Sequence, residues 1–312
     1  MLTKRVLYPL MILALLACSA CTSVIDEPTP QTEGEGLFAA LFVDAPPEVS
    51  AEITSDLQVY FLDMGQGDCE LILLPNGQNM LIDGGKASDS ERLLEYLSQA
   101  KVEAIDYLVA THPHEDHTGV LPAILEKLEV RSIYMPKVTD NSRVFENLLS
   151  AIDQKGLTIN EAKDGVGIIS APDLRVGFVS PTGYKSREIN NYSAVTKLTF
   201  GEVTFLFTGD AQKEAENKIT ADIKADVLKV SFHGSNKATS DAFLKRVAPR
   251  IAVISNGADN FYGFPSAKVL ERLNKAGATV YRTDEQGTIK MTSDGVEILV
   301  EENANTLNLP KT

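Results

Sequence analysis

Three of the chain's four histidines fall within one heptapeptide, Thr111-His112-Pro113-His114-Glu115-Asp116-His117. In an extended segment His112 and His114 occupy alternate positions and point the same way, while Asp116 and His117 turn toward a neighbouring point. Neutral imidazole and carboxylate are the donors that a borderline divalent cation prefers. Two such cations held close together share a bridging water and bring its pKa toward neutrality, which yields a hydrolytic nucleophile at ordinary pH. The plainer alternative is a solvated His-rich loop that binds metal only in vitro.

The cluster needs elements to hold it. Ile105 to Ala110 reads as a strand running straight into Thr111. Upstream, Leu57–Met64 is an apolar, β-rich run followed by Gly65-Gln66-Gly67-Asp68, and Cys69–Leu74 is a second run. Asn76-Gly77 marks a hairpin turn before a return strand at Met80–Ile82. Helical spacing predicts helices over Asp89–Ala100, Val120–Leu128, Val144–Ile152, Gln212–Ile219 and Ala267–Lys275. Further strands are expected at Ile133–Met135, Val176–Val179, Ala194–Phe200, Val203–Thr208, Val227–Ser231 and Ile251–Ile254, with short strands closing the chain. Leading hairpins with interspersed helices suit two sheets flanked by helices better than one parallel doubly wound sheet.

The chain has 312 residues and is 44% hydrophobic, which is enough apolar material for a sizeable core. With 29 Lys+Arg against 43 Asp+Glu the formal charge is −14, which argues against a protein that coats nucleic acid. Three cysteines do not make a disulfide framework. Lys4 and Arg5 precede the apolar run Val6–Ala17, which ends in Cys18-Ser19-Ala20-Cys21. This reads as an export signal, residues 1–21, too short to span a bilayer comfortably. Leu15-Leu16-Ala17-Cys18 resembles a bacterial lipobox, so a lipid on Cys18 or Cys21 is expected to anchor the chain at an extracytoplasmic membrane surface. Loss of Lys4 and Arg5 would take the charge from −14 to −16. Residues 22–54 read as an acidic, Pro-rich tether with an apolar island at Leu37–Val43, a candidate strand or turn docking on the domain. The domain is expected over 55–300, with a tail at 301–312.

The motifs resemble those of the metallo-β-lactamase superfamily. His112-Pro113-His114-Glu115-Asp116-His117 matches its signature, Asp83-Gly84-Gly85 its first Asp motif, Thr208-Gly209-Asp210 the motif of its bridging Asp, and Phe232-His233-Gly234-Ser235 its final His motif. Phe61-Leu62-Asp63-Met64-Gly65-Gln66-Gly67-Asp68, Asn190-Asn191-Tyr192-Ser193, Leu228-Lys229-Val230 and Tyr281-Arg282-Thr283-Asp284 narrow the likeness to the metallo-hydrolase domain of ComEC-type competence proteins. The resemblance covers about residues 57–298. It implies a single α/β (α+β) domain in a four-layer αββα sandwich, two divalent metals (Zn or Mn) and hydrolysis of a phosphodiester, DNA among the candidates, by a metal-bound hydroxide.

Carried over, the resemblance gives His112 and His114 to one metal, Asp116, His117 and His233 to the other, and Asp210 to both. Asp116 and Asp210 are then the catalytic carboxylates, Asp116 also as an orienter of water. Asp83 would support the ligand loop; Asp63, Gln66 and Asp68 would lie beside the metals or serve a tight Gly-rich turn; and Asn191 would stand where many members have another His, or be a turn residue. Ser235 belongs to the last motif. Lys229, Lys237 and Arg282 are candidates to neutralise phosphate or plain surface charges, and Cys69 is expected in the core. Two stretches depart from the pattern: Phe232 precedes His233 where a His is usual, and Tyr262-Gly263-Phe264-Pro265-Ser266 stands for Tyr-Gly-His-Pro-His. No obligate protein partner is implied. A second reading, a binding lipoprotein with this fold and no turnover, draws on those three lost imidazoles; β-lactam or thioester hydrolysis rests on the superfamily alone.

Overall fold

The computed structural model describes residues 41–43, 52–183 and 185–302. Strands β1 (Phe42–Val43), β2 (Leu57–Phe61), β3 (Cys69–Leu73) and β4 (Asn79–Asp83) precede helix α1 (Ser90–Gln99). Strand β5 (Ala104–Val109) runs into two short helices, α2 (Glu115–Thr118) and α3 (Leu121–Lys127), followed by β6 (Glu129–Met135), α4 (Arg143–Gln154) and β7 (Ile159–Glu161). Next come β8 (Gly167–Ser170), β9 (Leu174–Ser180), β10 (Val195–Phe200) and β11 (Val203–Phe207). The chain then alternates α5 (Lys213–Lys218), β12 (Val227–Lys229), α6 (Asp241–Val247), β13 (Ile251–Ile254), α7 (Ala267–Lys275) and β14 (Thr279–Arg282). Helix α8 (Thr283–Gln286) and the hairpin β15 (Ile289–Ser293) and β16 (Ile298–Glu301) finish the domain.

Two sheets result, one ordered β1-β7-β6-β5-β4-β3-β2-β15-β16 and the other β14-β13-β12-β11-β10-β9-β8. Each joins an antiparallel part to a parallel part: β2–β4 and β8–β11 are antiparallel, β4–β7 and β11–β14 parallel. Period-two alternation explains the layering. In β4, Met80 and Ile82 enter the core between the sheets, while Leu81 faces α1, α3 and α4 together with Leu93, Leu121 and Leu148. In β11, Phe205 and Phe207 meet Phe61 between the sheets, while Leu206 turns out to Phe243 and Val269 on α6 and α7. Three separate cores therefore stack helix, sheet, sheet and helix, the αββα sandwich that the motifs imply.

Strand β1 pairs in parallel with β7, Phe42 opposite Ile159, so the end of the apolar island is a strand at the edge of the first sheet. The export segment, Cys18, Cys21, most of the tether and residues 303–312 lie outside the described residues. No helix among the described residues is long and apolar enough to cross a membrane. Five of the fold's elements are absent from the sequence reading, among them α2 and α8, each a single turn of four residues. Strands β7 and β8 have three and four residues, too few to show an alternation. Helix α6 is a two-turn helix, capped by Ser240, whose Oγ accepts from Phe243 N at 3.2 Å.

Candidate metal centre

The parallel strands of each sheet end on the same side, and their loops carry the cluster. Strand β5 stops at Val109, Thr111 to His114 form the turn into α2, and α2 itself carries Asp116 and His117. Strands β11 and β12 deliver Asp210 and His233 from the second sheet.

His112, His117 and His233 share donor groups with Asp210 or Asp116, and His114 meets the cluster through His112. Ring centroids lie 4.7 Å apart for His112–His114, 4.2 Å for His112–His117 and 5.4 Å for His117–His233. Asp210 sits among them with its two oxygens facing different partners. Oδ1 is 3.3 Å from His117 Nε2 and 3.6 Å from His233 Nε2, and Oδ2 is 3.9 Å from His112 Nε2. His112 Nε2 lies 3.0 Å from His114 Nδ1, and His233 Nε2 lies 3.4 Å from Asp116 Oδ2. Neighbouring donors around a tetrahedral ion with bonds of ~2.0–2.1 Å are separated by about 3.3 Å, so these spacings fit cation ligation. His117 Nε2, His233 Nε2 and Asp210 Oδ1 are buried with no hydrogen-bond partner. Buried polar atoms rarely go unsatisfied, and here the orphans face one another. The donor set thus fits a divalent ion or a close pair.

The outward-facing nitrogens are fixed from behind. His117 Nδ1 lies 2.7 Å from Asp83 Oδ2, and His233 Nδ1 lies 2.9 Å from the Ser255 carbonyl. Thr111 Oγ1 donates to Asp83 Oδ2 at 2.6 Å and so is left to accept from His112 Nδ1 at 3.1 Å. Each contact places the proton on Nδ1 and leaves Nε2 as the free lone pair. Asp83 also accepts from Thr111 N at 2.8 Å, so one carboxylate supports two loop residues. Asp83 (φ 56°), Phe232 (φ 51°) and His233 (φ 50°) are non-glycine residues in the left-handed region. Such backbone costs of order 1–3 kcal/mol per residue and persists where the surroundings over-determine it.

Electrostatics agree with a cation pocket. Burial opposes a charge on His117, but the carboxylates of Asp210 and Asp83 outweigh it and raise its pKa well above that of ordinary imidazole. Burial and the neighbouring His117 push His112 well below it. Against their burial, the surrounding imidazoles hold Asp116 and Asp210 far below the usual carboxylate range. Asp116 is the partly exposed carboxylate of the group.

Other residues singled out in the sequence are placed differently. Asp68 and Lys229 do meet the cluster, but as a buried ion pair. Lys229 Nζ donates to Asp68 Oδ2 at 2.6 Å and lies 3.9 Å from Glu70 Oε1. Lys229 is therefore neither a surface charge nor a group open to phosphate. Asp68 N donates to the Asp116 carbonyl at 2.9 Å, and its unpaired Oδ1 belongs to a group with Asp210 and His233. Gly67 permits this: a Cβ there would fall 2.6 Å from Gly85 Cα.

Asp63 accepts from Gly65 N at 3.1 Å, and Gln66 Oε1 accepts from Gly257 N at 3.4 Å, so both shape their loop. Asn191 does not face the metals. Its amide donates to Glu214 at 2.9 Å and Ser186 at 3.0 Å, and its oxygen accepts from Gln212 N. Asn190 takes that place, donating to Asp210 Oδ2 at 3.3 Å. Ser193, which accepts from Asp210 N at 3.2 Å, is a second residue that the sequence reading missed, although both lie in the quoted Asn-Asn-Tyr-Ser stretch. Ser235 Oγ accepts from Lys237 N and Lys237 is exposed, so neither meets the donors. Arg282 is held by Asp284 and Glu285, each at 2.5 Å. Cys69 is a buried core residue. Ser266 caps α7 by accepting from Val269 N at 3.3 Å.

Residues 62–257 match the family description "Metallo-beta-lactamase superfamily". The chain is 31% identical over 258 residues to ComE operon protein 3 of Bacillus subtilis, covering 76% of this chain and 33% of that protein. It is 27% identical over 286 residues to competence protein ComA of Neisseria gonorrhoeae, covering 90% of this chain and 38% of that one. The chain thus spans little more than a third of these relatives. Among solved structures, CmlA, a diiron β-hydroxylase from Streptomyces venezuelae, superposes with a TM-score of 0.50 at 17% identity, over 80% of this chain and 54% of that one. That likeness is one of fold.

Proposed function

The chain belongs to the metallo-β-lactamase superfamily, and we propose that it is a metal-dependent phosphodiesterase. The observation that carries this reading is the convergence of His117 Nε2, His233 Nε2 and Asp210 Oδ1, all buried and unpartnered, on one point. His112 and His114 would hold one divalent ion, Asp116, His117 and His233 a second, and the divided oxygens of Asp210 would serve both. Zn or Mn suits this mixed imidazole and carboxylate set. Bound there, the ions would supply Lewis-acid charge for a phosphoryl oxygen and an acidified water.

The chain's own residues do the rest. Asp83, Thr111 and the Ser255 carbonyl keep three imidazoles in one tautomer and orientation. Asp116, ionised and partly open to solvent, is placed to accept a hydrogen bond from the attacking water and align it. Asn190 and Ser193 fix Asp210. The likeness to ComEC-type competence proteins supports a phosphodiester substrate, with DNA as one candidate. Export, with anchoring through a lipid on Cys18 or Cys21, is part of this reading and rests on the N-terminal composition.

Metal analysis of the full chain by mass spectrometry, with bis-p-nitrophenyl phosphate turnover on the same sample, tests it. About two divalent ions per chain and turnover that Asp210→Ala abolishes are expected. One metal or none, without turnover in added Zn²⁺, Mn²⁺ or Mg²⁺, would overturn the phosphodiesterase reading and favour the binding lipoprotein.

A further inference from the structure

The positions where imidazoles are lost have become an aromatic path. The Phe232 ring lies 6.5 Å from that of His233. Phe264 meets Phe232 edge-on at 5.8 Å, and Tyr262 stacks on Phe264 at 5.6 Å with the planes 16° apart. The path leads from a metal-site imidazole to solvent, where Tyr262 is 66% and its neighbour Phe261 105% exposed. Adjoining large apolar side chains left in water are a recognised mark of binding surfaces. Phe261 and Tyr262 also line a cleft of about 760 Å³ that includes the Asp63–Gln66 loop.

The charges around these rings choose the occupant. Asp63, Asp259, Asp284 and Glu285 line the same cleft against one cation, Lys86, and Arg282 is already committed to the last two. An acidic rim on a chain of net charge −14 offers no track for a run of phosphates and repels an anionic lipid surface. An aromatic face needs neither, because every nucleobase has a π face to lay on it. We infer that Tyr262, backed by Phe264 and Phe232, stacks a nucleobase of the substrate, and that the substrate is a single-stranded end or a short oligonucleotide recognised by its base rather than by its backbone charge. This rests on the phosphodiesterase reading and names its substrate class.

The test compares two esters with the same leaving group, thymidine 5′-(p-nitrophenyl phosphate) and methyl p-nitrophenyl phosphate, on the metal-loaded full chain. The wild type should prefer the nucleoside ester. Tyr262→Ala should lower the ratio of the two kcat/KM values about tenfold, as expected for loss of one stacking contact, and Tyr262→Phe should restore it. A general disturbance lowers both rates and leaves the ratio unchanged, which overturns the inference. Independently of turnover, an ethenoadenosine trinucleotide should show fluorescence quenching on binding that Tyr262→Ala weakens about tenfold and that changes little between low and moderate salt. Steep salt dependence, or Tyr262-dependent sedimentation with phosphatidylcholine vesicles in place of quenching, overturns it too. If neither ester is hydrolysed but quenching follows Tyr262, the phosphodiesterase reading fails while base recognition stands.

Discussion

Lys229→Met probes how the cluster is supported from behind. The Lys229 ammonium is fully buried, 2.6 Å from Asp68, whose carboxylate is buried as well. At an effective dielectric constant of ~20, two unit charges at that separation attract by about 6 kcal/mol. Taking each ion out of water costs several kcal/mol, so the intact pair contributes little net stability. Removing one partner is different, because Asp68 is then buried beside Glu70 with its hydrogen-bonded counter-charge gone and only the imidazoles of His117 and His233 to offset it. That loss costs about 3–5 kcal/mol. At roughly 2–4 °C per kcal/mol for a domain of this size, Lys229→Met should lower the melting temperature by about 6–20 °C, read by circular dichroism on the chelator-treated chain. A double variant, Lys229→Met with Asp68→Leu, should recover much of it, since an apolar pair of similar volume leaves no orphan charge. A single variant that loses less than about 1 kcal/mol, or a double variant worse than the two singles combined, would refute the reasoning.

Two further outcomes follow from the same surroundings. Asp83→Ala removes the partner of His117 Nδ1 and of Thr111 and should weaken metal affinity about 10–100-fold in a chelator competition; unchanged affinity would take Asp83 out of that role. Burial, with Asp68 beside it, raises the Glu70 pKa well above its ordinary value despite Lys229. Its folded pKa therefore exceeds the unfolded one of ~4.3, so the charged form is penalised increasingly as pH rises from there toward the folded pKa. Glu70→Gln, which copies the protonated form, should be near neutral for stability at about pH 4 and stabilising at about pH 8, measured as urea midpoints. An equal effect at both would contradict it.

What could be read from the sequence was what is local in it. The three clustered histidines share one turn, so their types and spacing announce their chemistry without any knowledge of the fold. Strands such as β2 and β4 declare themselves because alternate side chains serve different cores. Lys229 was opaque for the opposite reason: its partner, Asp68, is 161 residues away, and a lysine in an apolar strand does not name its counter-ion. Asn190 and Asn191 are adjacent and of one type, and the single turn of 3-10 helix over Ile189–Tyr192 decides which amide meets Asp210. The left-handed backbone at Phe232 and His233 carries no glycine to advertise it.

The replacement of imidazoles by Phe232, Phe264 and Ser266 bears on approach to the site more than on its donors. His233 still aims Nε2 at Asp210 and Asp116, held by the Ser255 carbonyl. Ser266 is occupied in capping a helix, and the two phenylalanines pack on each other beside the donors. Imidazoles at these places would carry polar or cationic groups toward a substrate phosphate, whereas rings without charge cannot do so. On the phosphodiesterase reading, with Lys229 buried, Arg282 paired and Lys86 the one cation lining the cleft, the attraction for phosphate would fall mainly to the cations that the donor set would bind. On that reading affinity would come from contacts that do not depend on charge, and the aromatic path of Phe232, Phe264 and Tyr262 is where this chain would supply them.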